Sequence, residues 1–159
     1  MTEDARFEDA AERPLYLSAD DASGLGVIAA LAQDAVFAAG ELRWDRKGRR
    51  LVLLLNRFRW EDRELAERAG RAYERVRALL VVGDVVSVAS QGVGRGDRDL
   101  VLSLLDLTWE AGADGTGTVL LTLAGDGAIR VAVECLDVTL KDVTRPYGAP
   151  SGKAPKHPE

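Results

Sequence analysis

The sequence contains few of the residues on which most catalytic and metal sites depend. Its 159 residues include one histidine, His157, and one cysteine, Cys135. A single cysteine excludes an internal disulfide and a cysteine-rich zinc site. His157 lies in a proline-rich end of the chain, where a Ser-His-Asp triad or a Cys-His pair would lack a rigid support. We therefore predict no catalytic residue, no bound metal and no cofactor.

Long apolar runs are also missing. The longest candidate, residues 79–88, is interrupted by Asp84 and falls short of the roughly 18 apolar residues that a transmembrane helix needs. The N-terminus has neither the basic start nor the apolar core of a signal peptide. Together with the single cysteine, these absences predict a cytoplasmic protein that does not bind membranes.

The composition that remains is typical of one folded domain. Apolar residues make up 47% of the chain and charged residues 30%, which is far from the composition of disordered proteins. A chain of this length can bury a core without disulfides. Residues 1–13 are acidic and lack periodic apolar positions, and residues 144–159 are rich in proline and glycine. We predict a single globular domain over residues 14–143 between two flexible ends.

A short strand and a helix open the predicted domain. Residues 15–17 have strand character, and an aspartate at position 20 or 21 can cap a helix whose apolar residues recur at spacings of three and four. We expect this helix to end near Asp34. Residues 61–82 fit either a helical stripe or a long strand. We favour a short helix or loop to about residue 70, followed by strand.

Two β-hairpins are predicted from apolar segments that flank glycine-containing turns. They lie at residues 41–55 and 118–135. In the first hairpin we expect Gly48 to supply the positive φ of the turn. The second ends at Cys135, where packing of a small buried residue is favoured over reactivity.

Two strand patterns change phase, which indicates a curved sheet. Within residues 100–109 the apolar positions shift from even to odd numbers after Leu104, and a similar shift follows Cys135. A bulge, or a strand that bends between two sheets, turns the side chains in this way. A helix over residues 136–143 is the alternative for the second shift. The predicted fold class is α+β: a mainly antiparallel, curved β-sheet or partly open barrel with one or two helices.

The positive charge of this acidic chain is concentrated in one segment. The net charge is -5, yet residues 43–59 hold seven basic residues against Asp45 alone, a local charge of +6. Within it, an apolar run breaks into Asn56-Arg57-Phe58-Arg59-Trp60-Glu61. Arginines pair with carboxylates or phosphates, and a neighbouring aromatic ring can stack on a ligand. Our candidate ligand-binding residues are Arg49, Arg50, Arg57, Arg59 and Trp60.

Structural interpretations compete with these functional ones. Phe58 and Trp60 can cap the core while Arg57 and Arg59 alternate outward. The glycine-rich residues 92–98 resemble a phosphate loop, but a strand pattern follows them and no Gly-Lys-Ser/Thr is present, which favours a flexible connection. The acidic chain also lacks a recognition helix or an RNP pattern, which argues against sequence-specific nucleic-acid binding.

The motif Asn56-Arg57-Phe58-x-Trp60 belongs to a wider resemblance. With residues 101–105 and 128–135, it resembles a family from alphaproteobacteria that is labelled only as a domain of unknown function. Members of that family are often encoded beside histidinol dehydrogenase. The resemblance covers about residues 15–142 and implies a bacterial cytoplasmic protein, but the family has no established active site to transfer.

Three functional hypotheses follow. The first is a non-catalytic binding module that contacts an acidic protein or a small anionic ligand through the basic segment 43–59 and Trp60. The second is an accessory enzyme that acts on a small anionic metabolite gripped by the same arginines. The third is a structural subunit that forms a homodimer through an exposed strand edge. A deep pocket in which Arg57, Arg59 and an acid converge would favour the enzyme, and a flat basic face would favour the binding module.

Overall fold

Strand is the dominant conformation in residues 14–93, 97–148 and 154–155, which a computed structural model describes. The strands in this part of the chain are β1 (Tyr16–Ala19), β2 (Val36–Ala38), β3 (Leu42–Asp45), β4 (Arg50–Phe58), β5 (Glu74–Val82), β6 (Val85–Gln91), β7 (Val101–Ala111), β8 (Gly117–Leu123), β9 (Ala128–Val133), β10 (Val138–Asp142) and β11 (Tyr147–Gly148). The helices are α1 (Ala22–Ala32) and α2 (Arg63–Ala69). The predicted α+β class is confirmed: the sheet is mainly antiparallel, curved and open, not closed into a barrel.

Both helices begin or end at residues suited to that position. Asp21 caps α1, its carboxylate accepting a hydrogen bond from the amide of Gly24 at 2.7 Å. Gly70 caps the C-terminus of α2, and its φ of 65° is the left-handed conformation that glycine adopts at little cost. The prediction of a short helix or loop to about residue 70 and strand thereafter is confirmed, and the first part is a helix. No helix in the described part of the chain is long and apolar enough to cross a membrane.

Strand β7 joins two groups of strands, which we call the first and second half-sheets. The first half-sheet runs in the order β1-β10-β5-β4-β2, with β3 beside β4 and β11 beside β5. The second runs β7-β8-β9-β6. Strand β7 serves both, because residues 101–103 pair with β2 and residues from Leu104 onward pair with β8.

A bulge at Leu105 allows β7 to change partners. The register of β7 against β8 shifts between Leu104 and Asp106, so that Leu104 and Leu107 are both buried although their numbers differ in parity. The predicted change of phase in this strand is therefore confirmed.

The second predicted change of phase is a connection between the half-sheets. Strand β9 ends at Val133 in the second half-sheet, and β10 begins at Val138 in the first. The alternative of a helix over residues 136–143 is wrong, because Val138, Leu140 and Asp142 alternate inward along a strand.

The core lies between the inner faces of the two half-sheets and α1. Leu25 and Ile28 of α1 pack in one cluster with Leu51, Leu53 and other residues of β4 and β5. The same cluster contains buried residues of β8 and β9. We call the core-facing side of each half-sheet its inner face and the opposite side its outer face.

Both predicted hairpins are present, as β3-β4 and β8-β9. The ordered chain also continues past the predicted boundary at residue 143. Strand β11 pairs with the start of β5, and Thr144 Oγ1 accepts a hydrogen bond from the amide of Arg77 at 3.0 Å. The predicted flexible segment 1–13, His157 and the centre of the glycine-rich segment, residues 94–96, lie outside the described residues.

Candidate functional site

The turn between β3 and β4 presents the first group of candidate arginines. A hydrogen bond from the amide of Arg49 to the carbonyl of Arg46, 3.3 Å long, closes the turn. The prediction that Gly48 supplies the positive φ is wrong, because Arg49 has it, at 56°. Gly48 is suited to its position for another reason: a Cβ there would overlap Asp45 Oδ2, and its amide donates to Asp45 Oδ1 at 3.0 Å.

Five exposed cations surround this turn, and we call them the basic hairpin: Arg43, Arg46, Lys47, Arg49 and Arg50. Against the carboxylate of Asp45, they give residues 43–50 a net charge of +4. Arg50 lies 3.6 Å from that carboxylate, and Arg49 pairs with Glu134 of the second half-sheet at 2.8 Å. Ion pairs this exposed hold their partners weakly, so the guanidinium groups stay accessible to another anion.

Arg57 lies at the far end of β4 and is fully buried, contrary to the expectation that it alternates outward. Its Nε and Nη2 donate to the two carboxylate oxygens of Asp142 at 2.9 Å each. Its Nη1 and Nη2 donate to Glu61 at 2.9 and 2.7 Å. The side chain reaches Asp142 across β5, where the residue in register with Asp142 is the small Ala78.

Charge balance explains how this guanidinium tolerates burial. Loss of hydration would lower the pKa of Arg57, but the hydrogen bonds and charges of Glu61 and Asp142 outweigh it and raise the pKa above its ordinary value. In turn, burial works to raise the pKa of Glu61, and its bonds to Arg57 lower it overall. The Glu61 carboxylate therefore stays ionised at neutral pH.

Arg59 is also buried, with 4% of its side chain exposed. Its Nη1 pairs with Glu74 and lies 3.8 Å from Asp62. Asp62 in turn accepts two hydrogen bonds from Arg71, at 2.6 and 2.7 Å, and these lower the pKa of its carboxyl group. We call the groups joined around Arg57 and Arg59 the buried ion network: Arg57, Arg59, Glu61, Asp62, Arg71, Glu74 and Asp142.

Trp60 makes structural contacts beside this network. Its indole Nε1 donates to the carbonyl of Gln33 at 2.9 Å, which ties the end of β4 to the end of α1. Its ring meets Phe58 edge to face, with 4.7 Å between the centroids. Trp60 is half-buried, so part of its ring remains at the surface.

The five candidate residues therefore do not form one patch. Arg57, Arg59 and Trp60 come together at the end of β4, whereas Arg49 and Arg50 lie at its start. Eight residue steps of extended strand separate Arg50 from Phe58, which is about 27 Å. A small ligand cannot contact both groups, and the local charge of +6 is divided between a surface and an interior. Ligand binding at these residues stays a prediction.

A second surface, the outer face of the first half-sheet, is not among the candidates predicted from the sequence. Its centre is formed by Val52 and Leu54 of β4 opposite Val81 and Leu79 of β5, all half-buried. The signal was present: residues 51–55 are apolar without interruption, whereas a strand with one solvated face alternates. Taken alone, that run predicts only a strand of the first hairpin.

Hydrogen bonds order one end of this face. Asn56 donates from Nδ2 to the hydroxyl of Tyr147 at 2.6 Å, and its Oδ1 accepts from Arg75 Nε at 2.9 Å. Burial lowers the pKa of the Arg75 guanidinium. These contacts attach β11 to the outer face and account for the ordered residues beyond 143.

The remaining candidate chemistry is sparse. Cys135 is exposed, so the prediction of a buried packing residue is wrong; the chain has left β9 and turns toward β10 at this point. Its Sγ lies 3.0 Å from Asp84 Oδ2, and that carboxylate raises the pKa of the thiol, which disfavours the reactive thiolate. Among the described residues, no three His, Cys, Asp or Glu are grouped to hold a metal.

Comparison with known proteins identifies a family and no activity. A family model described as "Protein of unknown function (DUF2948)" matches residues 15–157. Neither the curated proteins nor the solved structures include a match to the chain.

Proposed function

Since the chain belongs to the DUF2948 family of proteins of unknown function, we propose from its geometry that it is a non-catalytic binding module for an acidic partner or ligand. The observation that carries the proposal is the basic hairpin: five exposed cations around one turn of a chain whose net charge is -5. A compact cationic projection attracts anionic surfaces at long range and orients them on contact. A bacterial, cytoplasmic setting is part of this proposal.

The position of the basic hairpin supports a role in contact with another molecule. Its turn is held by the Gly48 and Arg49 amide hydrogen bonds, so the cations are presented on a defined backbone. The guanidinium of Arg46 stacks over Trp44, 4.4 Å from the ring centroid, which adds a flat apolar surface to the charge. Cations on a fixed backbone lose less conformational entropy on binding than cations on a flexible segment do.

The alternative, an accessory enzyme acting on a small anionic metabolite, has less support. Arg57 and Arg59 do converge with acids, but their guanidinium groups are already bonded to them. Three shallow clefts in the described part of the chain have other linings, and neither arginine takes part in them. A substrate would have to displace Asp142 and Glu61 to reach Arg57.

Binding of a labelled polyglutamate peptide tests the proposal. We expect Arg49→Ala combined with Arg50→Ala to raise the Kd by about fivefold or more, measured by fluorescence polarisation at low salt, and the effect to shrink at physiological salt. The matched control is Arg63→Ala with Arg68→Ala, which removes two exposed arginines from α2. Equal weakening in the control would show non-specific charge attraction and contradict the proposal.

A thermal-shift screen of anionic metabolites and nucleotides separates the two functions. A ligand that binds the folded chain raises its Tm. A selective shift by one small metabolite that persists in the Arg49→Ala, Arg50→Ala variant would favour the enzyme over the binding module.

A further inference from the structure

The outer face of the first half-sheet is unusually apolar for a sheet surface. Val52 and Leu54 lie in register with Val81 and Leu79, which places four branched aliphatic side chains in one square across β4 and β5. All four are half-buried, not covered. Antiparallel sheets with one solvated face ordinarily carry polar residues there.

The apolar surface continues on both sides of this square. On one side, Val36, Ala38, Leu54 and Val101 line a shallow cleft of about 210 Å³. On the other side, Tyr16 lies in register with Lys141 and is exposed. A concave cleft beside a flat apolar area is the shape that receives a projecting side chain of a partner.

Three cations border the same square. Arg43 lies in register with Val52, Lys141 with Leu79, and Arg77 with Asn56. All three are exposed, and within the described residues they form no ion pair. Glu41 is the carboxylate residue in the lining of the cleft. The face therefore combines an apolar centre with a positive border.

The spacing of this border matches the width of a helix. Arg43 on β3 and Lys141 on β10 are separated by β4 and β5, so three strand spacings, about 14 Å, lie between them. An α-helix with its side chains is about 10 to 12 Å wide. A helix lying along β4 and β5 would cover the apolar square and bring its flanking residues to the cations.

The outer face of the second half-sheet shows that this combination is not a general property of the fold. Threonines and alanines prevail there, with Leu120 as its half-buried leucine. Its cation, Arg130, is paired with Glu110 at 3.2 Å, and Asp106 lies on the same face. That face is polar, and its described residues form no positive border.

We propose that the outer face of the first half-sheet docks an acidic amphipathic helix of a partner protein. This inference rests on the proposed function and names the partner class. A second copy of the chain would bring cations against cations on a self-complementary interface. A bilayer would be met by protruding apolar side chains, whereas the four central ones are half-buried in the sheet.

The probe is a labelled helical peptide of about 18 residues, or five turns, with leucine at every third or fourth position and glutamate at the others. Two matched peptides replace the glutamates by lysine or the leucines by serine. We expect the acidic amphipathic peptide to bind at least about tenfold more tightly than either, since each lacks one of the two complementary properties.

Substitutions on the two faces locate the binding site. We expect Leu54→Thr with Leu79→Thr to raise the peptide Kd by about tenfold, because threonine keeps strand propensity but removes apolar contact. Leu120→Thr on the second half-sheet is the matched control and leaves the Kd unchanged. A charge variant, Arg43→Glu with Lys141→Glu, changes no core residue and is expected to raise the peptide Kd by a similar factor. Arg130→Glu on the second half-sheet is its control and leaves the Kd unchanged.

Several results would overturn the inference. One is unchanged peptide binding in a Leu54→Thr, Leu79→Thr variant whose Tm and circular dichroism show it folded. Another is cosedimentation with phosphatidylserine vesicles that the same variant abolishes, since this identifies a bilayer as the occupant. If polyglutamate binds the basic hairpin as tightly as the amphipathic peptide does, the proposed function stands and the inference fails. If neither peptide binds, the proposed function fails.

Discussion

The two ends of β4 carry arginines that the sequence presents alike and the structure treats in opposite ways. At the start, 45% of the Arg49 side chain and 57% of the Arg50 side chain are exposed. At the end, Arg57 has 0% exposed and Arg59 has 4%. The difference lies in what faces them: Arg57 meets Asp142 and Glu61 inside the fold, whereas Arg50 meets the exposed carboxylate of Asp45.

The same residue type is therefore solvent-exposed at one end of the strand and part of the protein interior at the other. An exposed ion pair contributes little to stability and leaves its arginine accessible. A buried pair is no evidence of extra stability either, because desolvation offsets its attraction, but removal of one partner leaves a charge buried without compensation. The buried ion network is thus sensitive to mutation, and the basic hairpin is tolerant.

The strongest test of this comparison is Arg57→Met. We expect it to lower the free energy of unfolding by about 3 to 5 kcal/mol, because Asp142 and Glu61 lose their shared cation. Arg50→Ala, at the other end of β4, should change it by no more than about 0.5 kcal/mol. Urea denaturation of the two variants measures both values. Equal losses of unfolding free energy in the two variants would show that the two ends of β4 do not differ in this way.

A second substitution shows whether the lost charge balance is the cause. Arg57→Met combined with Asp142→Leu and Glu61→Gln removes the uncompensated charges together with the arginine. We expect it to recover part of the stability lost in Arg57→Met alone, since apolar replacement of a whole buried pair is often neutral. No recovery would indicate that packing, or the lost hydrogen bond from the Leu15 amide to Asp142, outweighs charge at this position.

A smaller effect is expected at Asp62, which joins Arg59 to Arg71. Asp62→Asn should lower the free energy of unfolding by about 1.5 to 3 kcal/mol at neutral pH, because it weakens charged hydrogen bonds. The pKa values of Asp62 and Glu61 are lowered in the folded chain. Their contribution is therefore complete above the unfolded-state pKa values and is lost as the pH falls through the folded ones.

The pH dependence of the free energy of unfolding tests this prediction. Urea denaturation from neutral pH downward should show stability falling below about pH 4.5, the ordinary pKa of a glutamate. In Asp62→Asn the fall should be shallower, because one of the carboxyl groups with a lowered pKa is gone. A parallel fall in both proteins would show that other carboxylates control acid unfolding.

The smallest expected effect is at Arg49→Gly in the basic hairpin. The left-handed φ of Arg49 costs a residue with a Cβ about 1 kcal/mol, and glycine adopts it freely. Loss of the exposed pair with Glu134 acts in the other direction and is equally small. We expect the free energy of unfolding to change by less than about 1 kcal/mol. A loss as large as that of Arg57→Met would place Arg49 in the fold and not on a contact surface.

Local patterns were enough to predict much of the fold. The aspartate cap of α1, the two hairpins, the short α2 and the bulge after Leu104 all depend on neighbours within a few residues, and each was found. The positive φ of the first turn was expected at Gly48 but occurs at Arg49. Glycine is suited to position 48 because a Cβ there would overlap Asp45.

The candidate site was less predictable because its decisive contacts are distant in sequence. Arg57 shares the strand parity of the buried residues 51, 53 and 55, but the run 51–55 is apolar at both parities, so the local pattern does not show which face is inward. The carboxylate that balances its charge, Asp142, lies 85 residues later. The outer face of the first half-sheet requires knowing that β4 lies beside β5 and β10. No local pattern reports which strands become neighbours.

Because Arg57 is bonded to Asp142, the first half-sheet cannot be complete before residue 142 has been synthesised. A ribosome produces Arg57 and Glu61 well before residue 142, so the first half-sheet has to wait for β10 before its central guanidinium can leave water. Until then β1 also lacks its neighbour, because β10 lies between β1 and β5 and Asp142 accepts the amide of Leu15 at 3.0 Å. The nascent chain therefore completes its core only when its last long strand emerges, and a chain cut before β10 would expose its apolar strands to chaperones and proteases.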